Sequence, residues 1–245
     1  MYRYKLTIEY NGAAFYGWQI QDTGLTIQGQ IEAALAKFTK QTPRVNGSGR
    51  TDSGVHALGQ VAHFDLNMEW DVQKVREALN YHLKPDPISI LSVEAVDNDF
   101  DARFDAKERH YIYRIINRRS PLALDRGLAW HVQKPLNIKN MQEAAKYLVG
   151  HHDFTTFRSV HCQAKSPIKT VNQVIVTGDG EDIQIEVSAR SFMHNQVRSF
   201  VGSLKSVGEG RWQPIDMKHA LEARDRHQCG EVAPAMGLYF VQIDY

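Results

Sequence analysis

The chain has 245 residues, 42% hydrophobic and 23% charged, with 29 basic against 28 acidic side chains. That is ordinary for a soluble globular protein of one large domain or two smaller ones with a substantial core; its apolar runs are too short to span a membrane, and a net charge of +1 does not by itself announce a nucleic-acid binder. Two cysteines, Cys162 and Cys229, do not make a disulfide framework, and Met1 to Lys5 alternates instead of forming a signal peptide's apolar stretch, so a cytoplasmic location is expected.

Tyr2 to Tyr10 alternates, with Tyr2, Tyr4, Leu6, Ile8 and Tyr10 on one face, which predicts a half-buried strand. An aromatic loop from Asn11-Gly12 to Gly17-Trp18 breaks it. Thr26 can cap a helix to about Lys40, with Ile27, Ile31, Leu35 and Phe38 on one stripe. Then comes Gly47-Ser48-Gly49-Arg50-Thr51-Asp52-Ser53-Gly54-Val55-His56-Ala57. Three glycines in eight residues suit neither helix nor strand; they suit a sharp turn or a close approach to a ligand. Asp52 stands there among Arg50, Thr51, Ser53 and His56, where a carboxylate can be oriented and kept ionised. A tight polar turn in which Asp52 only caps backbone amides fits the same residues.

Gly59 to Leu66 reads as a strand, and Val72, Val75, Leu79 and Leu83 mark a helix ended by Lys84-Pro85-Asp86-Pro87. Ile88 to Val96 and Tyr111 to Ile116 are further strands. Asn137 can cap a helix through Met141, Ala145 and Leu148, closed by Gly150. Thr170 to Thr177 and Ile183 to Ala189 flank a polar turn and read as a hairpin. Val197, Val201, Leu204 and Val207 give a helix, Pro214 starts another, and Leu238 to Asp244 is a closing strand. The mixture argues an α+β fold of two lobes, each a mostly antiparallel sheet with helices on one face. A hinge near Phe104 to Lys107 divides residues 1–105 from 106–245.

Chemistry-bearing patterns are few. His151-His152, His161 and Cys162 lack the spacing of a zinc site; no nucleophile elbow, dinucleotide fingerprint or Walker loop occurs. Arg103 to Arg119 holds six arginines and lysines against Asp105 and Glu108, a local stripe suited to a polyanion or simply to water. Within it Glu108-Arg109-His110-Tyr111-Ile112-Tyr113-Arg114 alternates aromatic and basic residues, as a base-stacking strand or a core tyrosine pair would. Arg198, beside the Val197–Val201 stripe, sits at the rim of the core, either facing an anion or reaching solvent over a packed stem.

Together these pieces resemble the tRNA pseudouridine synthase I family, the tRNA pseudouridine(38-40) synthases. The resemblance rests on Tyr16-Gly17-Trp18-Gln19, Gly49 to Ala57, Gly59-Gln60-Val61 with His63-Phe64, and Phe100-Asp101-Ala102-Arg103-Phe104. It continues in Tyr111-Ile112-Tyr113-Arg114, Asp153 to Phe157, Met193-His194-Asn195-Gln196-Val197-Arg198 and Gly237-Leu238-Tyr239. The order is right and the series runs from the first strand to the last. Asn80 to Pro87 is bulkier and more proline-rich than the family's usual loop.

The resemblance implies an isomerase that converts uridine to pseudouridine at positions 38, 39 and 40 of the tRNA anticodon stem-loop, on a pseudouridine synthase fold with its active cleft between the lobes. It implies a homodimer and no cofactor or metal. By resemblance Asp52 is the nucleophile, with attack at C6, attack at C1′ and assisted elimination all open. Tyr111 stacks on the flipped uracil, Arg198 pairs with Asp52, Arg50 fills the space left by the base or holds its phosphate, and Leu238 packs on the uracil edge. A catalytically idle tRNA-binding or chaperone protein on the same fold is the alternative, one that would need none of Asp52, Tyr111 and Arg198 in those identities.

Overall fold

The structure, a computed structural model, describes residues 1–160 and 162–245. In chain order the elements are β1 (Tyr2–Tyr10), α1 (Ile27–Thr39), β2 (Asn46–Gly47), β3 (His56–Leu66), α2 (Val72–His82), β4 (Ile88–Val96), β5 (Glu108–Asn117) and β6 (Trp130–Val132). They continue as α3 (Ile138–Ala145), β7 (Gly150–Asp153), β8 (Ile168–Asp179), β9 (Asp182–Ala189), α4 (Gln196–Gly208), α5 (Pro214–Ala223) and β10 (Leu238–Asp244). The fold is α+β and its strand pairs are mostly antiparallel. Two compact units form: residues 1–107 with 239–245, and residues 108–238.

In the first unit the strands run β4–β1–β3–β10, with β2 also on β3. The alternation of Tyr2–Tyr10 is real: Tyr4, Leu6, Ile8 and Tyr10 are buried, while Lys5 and Thr7 are half-buried and Glu9 exposed. Tyr4 lies opposite Phe64, their rings stacked at 5.5 Å, so the cross-strand pair seeds the core. Thr26 caps α1 as the sequence indicates, accepting from the Gly29 amide, and Ile27, Ile31 and Leu35 are buried from that helix. In α2 the cap is Asp71, which accepts from Lys74. Strand β3 starts at His56, earlier than the residue pattern suggests, because Tyr239 and Phe240 of β10 pair with His56 and Ala57 in parallel. The closing strand thereby returns to the first unit, whereas the sequence reading carries the second lobe to residue 245.

In the second unit β5, β9, β8 and β7 form one antiparallel ladder, with β6 in parallel on β5. Phe154, Phe157 and Phe200 are fully buried and meet one another at ring distances of 5.0–6.4 Å. Asn137 caps α3 through its side chain, but the α-helix stops at Ala145 and a tighter turn covers Lys146–Leu148. Gly150, at φ +120°, opens β7 instead of capping the helix.

Candidate active site

The turn that carries Asp52 is built entirely from first-unit residues, and its backbone is held from several sides. The Ser48 amide donates to the Val61 carbonyl at 2.8 Å. Gln60, fully buried, accepts from Ser48 Oγ at 2.6 Å and donates to the Gly49 carbonyl at 3.0 Å. The Tyr10 hydroxyl lies 2.8 Å from Thr51 Oγ1, and burial pushes that phenol up to about 12, so it stays a neutral partner. The Trp18 amide reaches the Thr51 carbonyl at 3.1 Å, Ser53 Oγ donates to the Phe15 carbonyl at 3.1 Å, and the Gly12 amide donates to His56 Nδ1 at 3.1 Å.

Two glycines in this region have a physical reason. Gly17 sits at φ +84°, and a Cβ there would lie 2.5 Å from the Thr51 carbonyl oxygen. Gly54 sits at φ +79°, where the turn closes from the Asp52 carbonyl to the Val55 amide at 3.1 Å. Thr51 is buried, Asp52 half-buried and Arg50 exposed. The turn thus offers a carboxylate on a backbone with little freedom, the arrangement a nucleophile or charge stabiliser needs.

In the second unit the aromatic strand divides into two roles. Tyr113 is fully buried and donates to the Pro234 carbonyl at 2.7 Å; burial pushes its phenol up while the charge of Arg198 acts in the opposite sense. Gly237 lets this ring approach, since a Cβ there would meet it at 2.6 Å. Tyr113 is the core tyrosine. Tyr111 is only half-buried, with its ring edge-on to Phe192 at 5.3 Å. It keeps accessible surface that a base could use.

Arg198, on the first turn of α4, is half-buried. Its Nε donates to the Ala233 carbonyl at 2.7 Å, its Nη1 donates to Asn195 Oδ1 at 2.9 Å, and the Ala233 amide returns a bond to the Arg198 carbonyl at 3.1 Å. Asn195, at φ 63°, makes no side-chain cap on the helix. Gly202 admits the neighbouring segment, because a Cβ there would collide with the Glu231 carbonyl. Leu238 is 6% exposed at the start of β10.

Much of the basic stripe is absorbed by the fold. Arg109 donates to the Arg190 carbonyl, Arg114 bridges Asp125 and Asp182 at 3.2 Å each, and Arg118 meets Glu181 at 3.2 Å. Of the histidines weighed as ligands, His151 Nδ1 contacts Thr170 Oγ1 and His152 Nε2 contacts the Val149 carbonyl, each at 2.9 Å; His161 lies outside the described residues. Burial works against the Cys162 thiolate, but amide hydrogen bonds and Arg158 outweigh it and the thiol is lowered from its usual range.

Three residues that brace the Asp52 turn had no role in the sequence reading: Tyr10, Gly17 and Gln60. Each stood inside a quoted strand or motif, but a bond across 41 residues, as between Tyr10 and Thr51, leaves no local signal.

A family model described as tRNA pseudouridine synthase matches residues 6–105 and 144–245. Asp52, Arg50, Arg198 and Leu238 fall inside those stretches, and Tyr111 falls in the segment between them. The chain is 58% identical to a tRNA pseudouridine synthase A of Sinorhizobium fredii and 58% identical to one of Rhizobium meliloti, over the whole of both partners in each case. It is 57% identical to one of Afipia carboxidovorans, again over the whole of both chains. A chain of a crystal structure of a Cbf5–Nop10–Gar1 complex aligns at 12% identity and a TM-score of 0.33, covering 82% of this chain and 54% of that one, a likeness too slight to carry weight. The chain belongs to the tRNA pseudouridine synthase family, isomerases that convert uridine to pseudouridine.

Proposed function

We propose that this chain isomerises uridine to pseudouridine at positions 38, 39 and 40 of the tRNA anticodon stem-loop, with Asp52 as the nucleophile. The observation that carries the reading is the Asp52 turn: a carboxylate on backbone fixed through Tyr10, Trp18, Phe15 and Gln60, within a stretch that matches the family. An idle RNA-binding protein has no use for a carboxylate held this way beside a polyanion, because it would only repel phosphate.

The reaction conserves atoms. The N1–C1′ bond breaks with its electron pair on the uracil, the base turns, and C5 bonds to C1′. The proton that leaves C5 is balanced by the one N1 gains, so no electron or group is exchanged with a second reactant. Asp52 acts beside the sugar, by attack at C6, by attack at C1′ or by assisting the elimination. Tyr111 stacks on the uracil after it leaves the helix, and its hydroxyl helps carry the C5 proton. Arg198 is the counter-charge of Asp52, Arg50 occupies the space or holds the phosphate that the flipped nucleotide leaves, and Leu238 packs against the uracil edge. The division of labour assigns the nucleophile to the first unit, residues 1–107 with 239–245, and the stacking tyrosine and the arginine to the second, residues 108–238.

The protein works in the cytoplasm as a homodimer, as the resemblance implies. The test is incubation with unmodified tRNA transcript followed by pseudouridine mapping. Conversion at positions 38–40 supports the reading; conversion only elsewhere, or none, defeats it.

A further inference from the structure

Phe100-Asp101-Ala102-Arg103-Phe104 has no task in the mechanism above, yet the turn is held from several sides. The Arg3 guanidinium donates to the Phe100 carbonyl at 2.8 Å. The Ala102 amide donates to His63 Nδ1 at 3.1 Å, and the Tyr245 hydroxyl donates to the Ala102 carbonyl at 2.8 Å. Asp101 Oδ1 accepts from the Arg103 and Phe104 amides at 2.7 and 2.9 Å, and Asp105 Oδ2 accepts from the Asp101 amide at 2.7 Å. Ala102 is fully buried beneath the turn.

The tip of this fixed turn faces water. Phe104 is 74% exposed, and the Arg103 guanidinium lies over its ring, 5.5 Å from the centroid. A phenyl ring gains nothing for the fold in that position. A fixed aromatic with a cation on one side and solvent on the other is instead what single-stranded nucleic acid uses: a base stacks on the ring while the cation meets phosphate. The nearby carboxylates serve the fold: Asp101 and Asp105 accept from the turn's own amides, and Asp65, Asp101 and Asp99 together hold the Arg3 guanidinium above its ordinary range.

Building on the reading that the substrate is tRNA, we propose that the 100–105 turn is an RNA-docking element, with Phe104 stacking on an unpaired base of the tRNA and Arg103 pairing with an adjoining phosphate. It is a positioning site, not a catalytic one. Its partner is RNA rather than a protein surface, because an Arg–Phe pair on a narrow turn offers one ring and one charge, too little area for a stable protein interface.

The test uses the full chain, unmodified tRNA transcript, and the variants Phe104→Ala, Phe104→Trp, Arg103→Ala and Arg103→Lys. Base stacking on one aromatic changes affinity by roughly fivefold to a hundredfold, so Phe104→Ala should raise Kd and KM within that range, with most of the loss in KM, and Phe104→Trp should restore it. Arg103→Ala should lower the slope of log Kd against log salt by about one, and Arg103→Lys should keep it. Melting temperatures should stay at the parent value, since the ring is exposed. Wild-type Kd and KM in Phe104→Ala would overturn the proposal, as would a loss of self-association at unchanged RNA affinity, which would make the turn a protein contact. A parent chain that forms no pseudouridine on the same transcript would instead defeat the functional reading.

Discussion

The hydroxyl of Tyr10, at the end of β1, lies 2.8 Å from Thr51 Oγ1 in a buried setting, one residue before the proposed nucleophile. It ties the Asp52 turn to the sheet rather than to solvent. Tyr10→Phe keeps the ring and removes this tie, leaving a buried Thr51 hydroxyl short of a partner at a cost of about 1–3 kcal/mol. The expected result is a lowered melting temperature and a lowered kcat with tRNA affinity unchanged. A variant with reduced stability and the parent kcat would show that the turn does not depend on this bond.

Gly17 tests the same turn from its other side. With φ at +84° and the Thr51 carbonyl 2.5 Å from where a Cβ would stand, Gly17→Ala must shift either its own loop or residues 51–53. Left-handed strain alone costs on the order of 1 kcal/mol. A displacement of the carboxylate near 1 Å can cost about a hundredfold in rate. The kcat of Gly17→Ala should therefore fall by more than its stability loss explains, at temperatures where the variant is fully folded; equal kcat in parent and variant would contradict the coupling.

These braces explain what the sequence could and could not disclose. The half-buried β1, the caps Thr26 and Asn137 and the β8–β9 hairpin follow from local rules, because alternation, capping side chains and turn residues are neighbours in the chain. Strands β6 and β7, of three and four residues, are too short to show a period. The early start of β3 and the return of β10 to the first unit depend on the Tyr239–His56 register, which no local pattern encodes. Asp52 stands out in the sequence through its motif, whereas the bracing of its turn by Tyr10, Gly17 and Gln60 does not. Tyr111 and Tyr113 look alike in the alternating pattern, and only packing separates the half-open ring from the core one.

His63 gives the fold a pH dependence of defined sign. Its buried ring accepts the Ala102 amide through Nδ1, and burial, followed by the charge of Arg3, lowers its pKa below the usual 6.5, against the opposing pull of Asp101, Asp65 and Asp105. The folded state then binds this proton less readily than the unfolded chain, so the contribution is complete above about pH 6.5 and declines as pH falls through the folded value. The lowered Asp65 works in the same sense at lower pH, its contribution fading as pH falls through about 3.8, where the unfolded form is half protonated, toward its lower folded value. Between pH 7.5 and 5 the parent should lose more melting temperature than His63→Gln. Parallel curves for the two proteins would remove His63 as the cause.

Arg198 separates structural from catalytic need. It is half-buried, and removing it deprives the Ala233 carbonyl of a donor, so Arg198→Met should cost about 1–3 kcal/mol. On the proposal that it is the counter-charge of Asp52, its removal should also lower kcat by roughly a hundredfold to a thousandfold, with Arg198→Lys recovering part of the rate. The informative comparison is the cycle with Asp52→Asn: groups acting as a unit give a double variant little worse than the weaker single one. Additive losses in kcat would assign Arg198 to the support of the Ala233 segment alone.

The most direct measurement is pseudouridine mapping on unmodified tRNA with the parent chain and Asp52→Asn, alongside Kd for the same transcript. The parent should convert uridines at positions 38–40, and Asp52→Asn should convert none while binding tRNA as tightly as the parent, since affinity is spread over many phosphate contacts and the carboxylate acts on one sugar. Conversion by Asp52→Asn at the parent rate would contradict the central claim.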